Sequence, residues 1–141
     1  MKKFGLSKTE RIKSKKRLDL LFTKGSFVLS KNGKVKAVFC FENSNEQSGV
    51  KAAFTVSKKA GTAVWRNRIK RLFKESFRLN KESLINVCVQ KQGILFVVFM
   101  LNRVNQKNFK KPALKDFIDE IIDLISKISV RLKNSGNCND S

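Results

Sequence analysis

Histidine is absent from the 141 residues, which excludes imidazole catalysis, His-ligated metal sites and every Ser-His or Cys-His nucleophile pair. The single proline, Pro112, leaves no Pro-rich linker, and no internal repeat is visible, so the chain reads as one domain. Cysteines are few: Cys40, Cys88 and Cys138 are odd in number and form no CxxC pair, which reads as reduced thiols that ligate nothing. Long apolar runs are missing as well. The longest, residues 94–101, suits a buried strand and falls short of the ~20 residues that cross a bilayer. The basic N-terminus has no apolar segment behind it and does not resemble a secretory signal. These absences predict a cytoplasmic protein with no membrane partner. Acids are scarce too, 11 Asp/Glu against 31 Lys/Arg, giving a formal charge of +20.

What is present is enough to fold. Hydrophobic residues make up 41% of the chain, 12 of them Phe, sufficient for a packed core. The charge is unevenly spread: residues 1–82 carry 22 Lys/Arg against 6 Asp/Glu, while residues 83–141 carry 9 against 5. Surplus lysine can serve solubility alone, but self-repulsion on this scale destabilises a compact chain unless an anionic partner offsets it. A nucleic acid fits that requirement.

Periodicity divides the chain. Leu18, Leu21 and Phe22 at i, i+3, i+4 spacing predict a helix over 15–24, closed by Gly25. A short strand at 27–30, the Asn32-Gly33 turn and alternation over 35–42 and 51–57 predict strands, the latter two paired antiparallel. Val35, Ala37, Phe39 and Phe41 share one face of their strand. A period of three to four over 64–80, with Thr62 as N-cap, predicts the next helix, which residues 81–92 could extend. A strand at 94–101 follows. The last helix, about 111–133, stripes Leu114, Phe117, Ile118, Ile121, Ile125, Ile128 and Leu132 on one side, with acids early and bases late. The expected domain is 1–133, with 1–13 a basic extension and 134–141 a disordered tail.

Residues 57–78, SKKAGTAVWRNRIKRLFKESFR, concentrate the chemistry. At 100° per residue, Asn67, Lys70, Arg71, Lys74 and Arg78 fall opposite Trp65, Ile69, Leu72, Phe73 and Ser76, with Arg66 and Arg68 at the edges. Like-charged i,i+4 pairs such as Arg66/Lys70 and Lys70/Lys74 cost ~0.2–0.5 kcal/mol each, and only Glu75 is available to pair. The helix N-terminus adds positive potential beside Lys58 and Lys59. Arginine forks grip phosphates, and Asn can donate and accept at a sugar or base edge. Charge alone does not separate DNA from RNA, although no zinc-ligand pattern, basic zipper or clear helix-turn-helix is present. Phe22 and Phe39 could stack unpaired bases, but read from the residues alone they fit a core better.

The string from Ser57 to Leu72, with its Ser-Lys-Lys end, Gly-containing turn and Arg-Asn-Arg helix followed by Lys-Arg, resembles the signature of the protein component of bacterial ribonuclease P. The resemblance implies an α/β (α+β) two-layer sandwich in the order α-β-β-β-α-β-α. Its four-stranded mixed sheet would contain a left-handed β-α-β crossover. It further implies that the chain is the protein subunit of an endoribonuclease whose catalytic RNA, with bound Mg²⁺, removes the 5′ leader of precursor tRNA. The protein alone would bind no cofactor and hold no catalytic residue, and it would need no obligate protein partner. Carried over by motif, Arg66, Asn67, Arg68, Lys70 and Arg71 would contact the catalytic RNA, with Lys74 and Arg78 extending that face. Phe22, Phe39, Thr55, Ser57, Lys58 and Lys59 would line a cleft for the leader, although Ser57 could serve the turn instead. Leu18 stands where the pattern often has an aromatic, and Thr62 where it often has Asn. The competing reading is a structural ribosomal-type RNA-binding protein with no reaction attached.

Overall fold

The computed structural model describes residues 15–46 and 48–134; the expected basic extension 1–13 lies outside them, as does the expected tail 134–141 except for Asn134, which ends the last helix. Helix α1 (Lys15–Lys24) is followed by strands β1 (Ser26–Leu29), β2 (Val35–Asn43) and β3 (Gly49–Thr55). A 3-10 turn at Lys58–Ala60 leads into α2 (Ala63–Asn80) and α3 (Glu82–Lys91), then β4 (Gly93–Leu101) and α4 (Leu114–Asn134). Residues 82–91 form a separate helix instead of extending α2, which adds one element to the expected order. Buried Lys81 marks the junction, and Leu84, Val87 and Cys88 supply the new helix with its own apolar face.

The sheet order is β1-β2-β4-β3. Strand β2 pairs antiparallel with β1 and β4, while β3 runs parallel to β4. The expected antiparallel pairing of β2 with β3 is therefore wrong. The physical reason lies in β4: Leu95, Val97, Val98 and Phe99 are fully buried, so this strand needs cover on both faces and neighbours on both edges, and it inserts between the other two. Strands β3 and β4 are thus parallel neighbours joined through α2 and α3, which is the crossover connection the resemblance implies.

Side-chain alternation splits the sheet into two faces. Val35, Ala37, Phe39 and Phe41 of β2 join Leu95, Val97 and Phe99 of β4 beneath α2, α3 and α4, in a core that includes Trp65, Ile69, Phe73, Phe117, Ile121 and Ile128. On the opposite face a smaller cluster of Val38, Cys40, Phe96 and Val98 meets Leu21, with Leu18 packed against it. Gly25 allows α1 to lie this close, because a Cβ there would sit 2.5 Å from the Leu21 carbonyl and 2.9 Å from Val38.

Two sets of hydrogen bonds lock α4 to the rest. Buried Glu120 accepts from Ser30 Oγ at 2.7 Å and Asn32 Nδ2 at 2.8 Å, fixing the β1–β2 turn. Lys127 and Arg131 donate to the carbonyls of Leu29 and Phe27, covering acceptors on the edge strand. Cys88 is a free thiol, fully buried, and burial pushes its pKa up to about 11. Cys40 is buried too, at 7% exposure, while Cys138 lies outside the described residues. Cys40 lies on the α1-covered face, away from the core that seals Cys88.

Candidate nucleic-acid interface

The approach to α2 is built by short-range hydrogen bonds. Ser57 Oγ accepts from Lys59 N at 3.3 Å, so this hydroxyl serves the turn, and Lys58 and Lys59 project into solvent. Thr62 then caps α2, its Oγ1 accepting from Trp65 N at 3.2 Å, as predicted. Gly61 is needed for space, since a Cβ would fall 2.8 Å from both Gln106 Oε1 and the Trp65 ring. Gln106 clamps the same turn, donating from its backbone to Ala60 O and accepting from Thr62 N.

Trp65 anchors the helix. It is buried, and its indole N–H donates to Phe109 O at 2.9 Å. With Ile69, Phe73, Ser76 and Phe77 also buried, the opposite side of α2 is forced outward. Asn67, Arg68, Arg71 and Lys74 are exposed, and Arg66 and Lys70 are half-buried. Arg66 Nε donates to Gly61 O at 3.1 Å and Arg68 Nε to Pro112 O at 2.8 Å. Each guanidinium is thereby oriented through Nε, while its two terminal nitrogens remain available for a bidentate contact. Among the described residues no carboxylate lies within ion-pair distance of Arg66, Arg68, Lys70, Arg71 or Lys74. Arg78 differs. Its Nε lies 3.1 Å from Glu75 Oε2 and its Nη2 bonds Oε1, an arrangement that raises its pKa further and offsets its charge. Arg78 therefore adds less net charge to the exposed basic face of α2 than the projection suggests.

The α1-covered face of the sheet is the second surface. Pairing places side chains in rows across the strands: Leu29, Lys36, Met100 and Thr55 form one, and Phe27, Val38, Val98 and Ala53 the next. Thr55 is half-buried in the first row, and the chain runs on from it to Ser57, Lys58 and Lys59. Phe22 is 51% exposed on α1. Phe39 does not belong to this surface: it is 5% exposed and packs in the main core beneath the helices, because the β2 residues facing α1 are those at even positions, Lys36, Val38 and Cys40. An aromatic that the sequence pattern does not single out takes a place there. Phe27 is 61% exposed, with Lys36 Nζ 5.4 Å from its ring centroid. Its row position follows from pairing with Val38, which only the hairpin register reveals.

Among the described residues no helix is long and apolar enough to cross a membrane, and no group of three or more Cys, Asp or Glu side chains is placed to hold a metal ion. The site offers cations, amides and aromatic rings, groups of the kind that pair with phosphates and bases.

Comparison with known proteins points the same way. The ribonuclease P protein components of Syntrophus aciditrophicus (strain SB) and Clostridium botulinum (strain Loch Maree / Type A3) are 38% identical over 82 residues and 40% identical over 76. These matches cover 58% and 54% of this chain, and 65% and 60% of those two relatives. The RNase P protein structure from Staphylococcus aureus superposes with a TM-score of 0.63 at 21% identity, covering 84% of this chain and 94% of that one. The family model for Ribonuclease P matches residues 6–126, most of the sequence and all of the basic segment, and the chain belongs to the Ribonuclease P family.

Proposed function

We propose that this chain is the protein subunit of ribonuclease P, acting in the cytoplasm beside a catalytic RNA that cleaves the 5′ leader from precursor tRNA. One observation carries the reading: in a chain of this family, α2 presents Arg66, Asn67, Arg68, Lys70, Arg71 and Lys74 with no carboxylate to offset them among the described residues. That face takes the phosphates of the catalytic RNA. The leader takes the α1-covered face, where Phe22 offers a ring to unpaired bases and Lys58 and Lys59 track the backbone. Magnesium ions belong to the RNA, whose phosphates provide the oxygen ligands the cation prefers. The protein contributes binding: a precursor touches both RNA and protein, whereas mature tRNA has no leader to touch.

Reconstitution with the cognate catalytic RNA tests this. At low Mg²⁺ the protein should accelerate precursor cleavage and strengthen precursor binding about tenfold or more over mature tRNA. Equal enhancement for leader-bearing and leaderless RNA would contradict the assignment of the leader, and no enhancement of either would contradict the whole reading.

A further inference from the structure

A cavity of about 560 Å³ opens at the end of the sheet, between the β1–β2 turn and the loop from β4 to α4. Leu29, Asn32, Lys34, Asn102, Arg103 and Phe109 define its chemistry. None of these residues belongs to the α2 face or the α1-covered face except Leu29, whose row ends here.

The walls are held in place by hydrogen bonds. Asn102 N donates to Lys34 O and its Nδ2 to Gly33 O, both at 2.8 Å, which ties the loop to the turn. Asn105 and Asn108 bond each other reciprocally at 2.9 and 3.0 Å, closing the loop on itself. Asn32 Nδ2 is held by Glu120. Arg103 adopts φ 60°, a left-handed conformation that a non-glycine residue seldom takes, and this turns the loop at the cavity mouth.

The lining suits one class of ligand. Asn32 and Asn102 each commit one amide N–H to the protein, which leaves an amide oxygen and a second N–H on each to meet a guest. Two cations line the cavity with those amides, Arg103 and Lys34, the latter 5.6 Å from the Phe109 ring centroid. A guest that brings an anion for the cations and hydroxyl, amino or carbonyl groups for the amides fits this lining. A ribonucleotide has both, as a phosphate, a 2′-hydroxyl and base amino groups. The volume suits one nucleotide.

The loop that lines this cavity also braces α2. Its residues Gln106, Phe109 and Pro112 receive Thr62, Trp65 and Arg68. Lys107, Lys110 and Lys111 stand exposed along it without an acid between them. We infer that the cavity is a second docking point for the catalytic RNA, gripping the phosphate of one nucleotide between Lys34 and Arg103 while the amides of Asn32 and Asn102 bond its sugar or base. This rests on the proposed function and extends it from α2 to the end of the sheet.

The test is titration of the full-length protein with the cognate catalytic RNA transcript across a range of salt. A Lys34→Gln/Arg103→Gln variant, checked for an unchanged melting profile, should bind about tenfold more weakly at fixed salt. Its log–log salt slope should be shallower by about 1, as expected when one phosphate is no longer neutralised. The preference for precursor over mature tRNA in the reconstituted enzyme should stay as it is. Wild-type affinity and slope in this variant, alongside weakened binding by Arg66→Ala/Arg68→Ala, would overturn the cavity assignment and leave the α2 reading standing. Unweakened binding in both variants would overturn both. Loss of precursor preference with RNA affinity unchanged would place the guest in the tRNA and overturn the inference.

Discussion

Phe22 and Phe39 differ in how much water they see, 51% and 5% exposure, and that difference separates their roles. Truncating Phe39 opens a void under α2 and α4, so Phe39→Ala should cost about 3–5 kcal/mol in urea unfolding, with Phe39→Leu losing much less. Phe22→Ala should leave stability within about 0.5 kcal/mol and weaken precursor binding about tenfold more than mature tRNA binding, the scale of one base stack. Equal weakening for both RNAs would remove Phe22 from the leader surface. The sequence contained the argument against Phe39. Val35, Ala37, Phe39 and Phe41 alternate on one face, so Phe39 could meet the leader only if all four did, and a face that apolar belongs in the core. Phe27 was hidden for the opposite reason. A four-residue strand gives too short an alternation to say which side is open, and only its pairing with Val38 decides.

Helices α1 and α2 were legible because their ends are chemically marked. Gly25 N donates to Leu21 O at the close of α1, and Thr62 caps α2 by a side-chain bond within three residues. The α2 cap carries a measurable consequence: Thr62→Ala should cost about 1 kcal/mol in unfolding experiments, while Thr62→Asn, another good N-cap, should stay near wild type. A loss shared by Asn would mean that the Thr62 methyl, not its hydroxyl, matters. Strand order was not legible in the same way. Sequence neighbours usually pair, so β2 and β3 were expected together, yet the information that separates them lies about 40 residues further on in β4. Its continuous apolar run already demanded a central position. What no local pattern supplied is the choice of partners at its two edges. Likewise α3 was obscured because it follows α2 with only Lys81 between them, and a shared helical period conceals a change of axis.

At the scale of the whole molecule, a charge of +20 is set against a fold whose interior is ordinary and apolar. Electrostatic repulsion in the free protein should therefore fall when RNA binds, and the release of counterions from that RNA should dominate the salt response. If about 6 phosphates are engaged, log affinity for the catalytic RNA should fall with log salt at a slope of about −4 to −5. Arg66→Ala/Arg68→Ala should flatten the slope by about 2 as well as weaken binding. Arg78→Ala should flatten it less than either single change, because Glu75 already offsets that guanidinium. The comparison separates direct phosphate binding from mere proximity. A distant cation raises the general potential and contributes little once salt screens beyond roughly 8–10 Å, whereas a cation seated on a phosphate displaces a counterion at every salt concentration. A slope unchanged in Arg66→Ala/Arg68→Ala would mean that these side chains, although outward and without acidic partners among the described residues, do not reach phosphate, and the basic face of α2 would then serve steering alone.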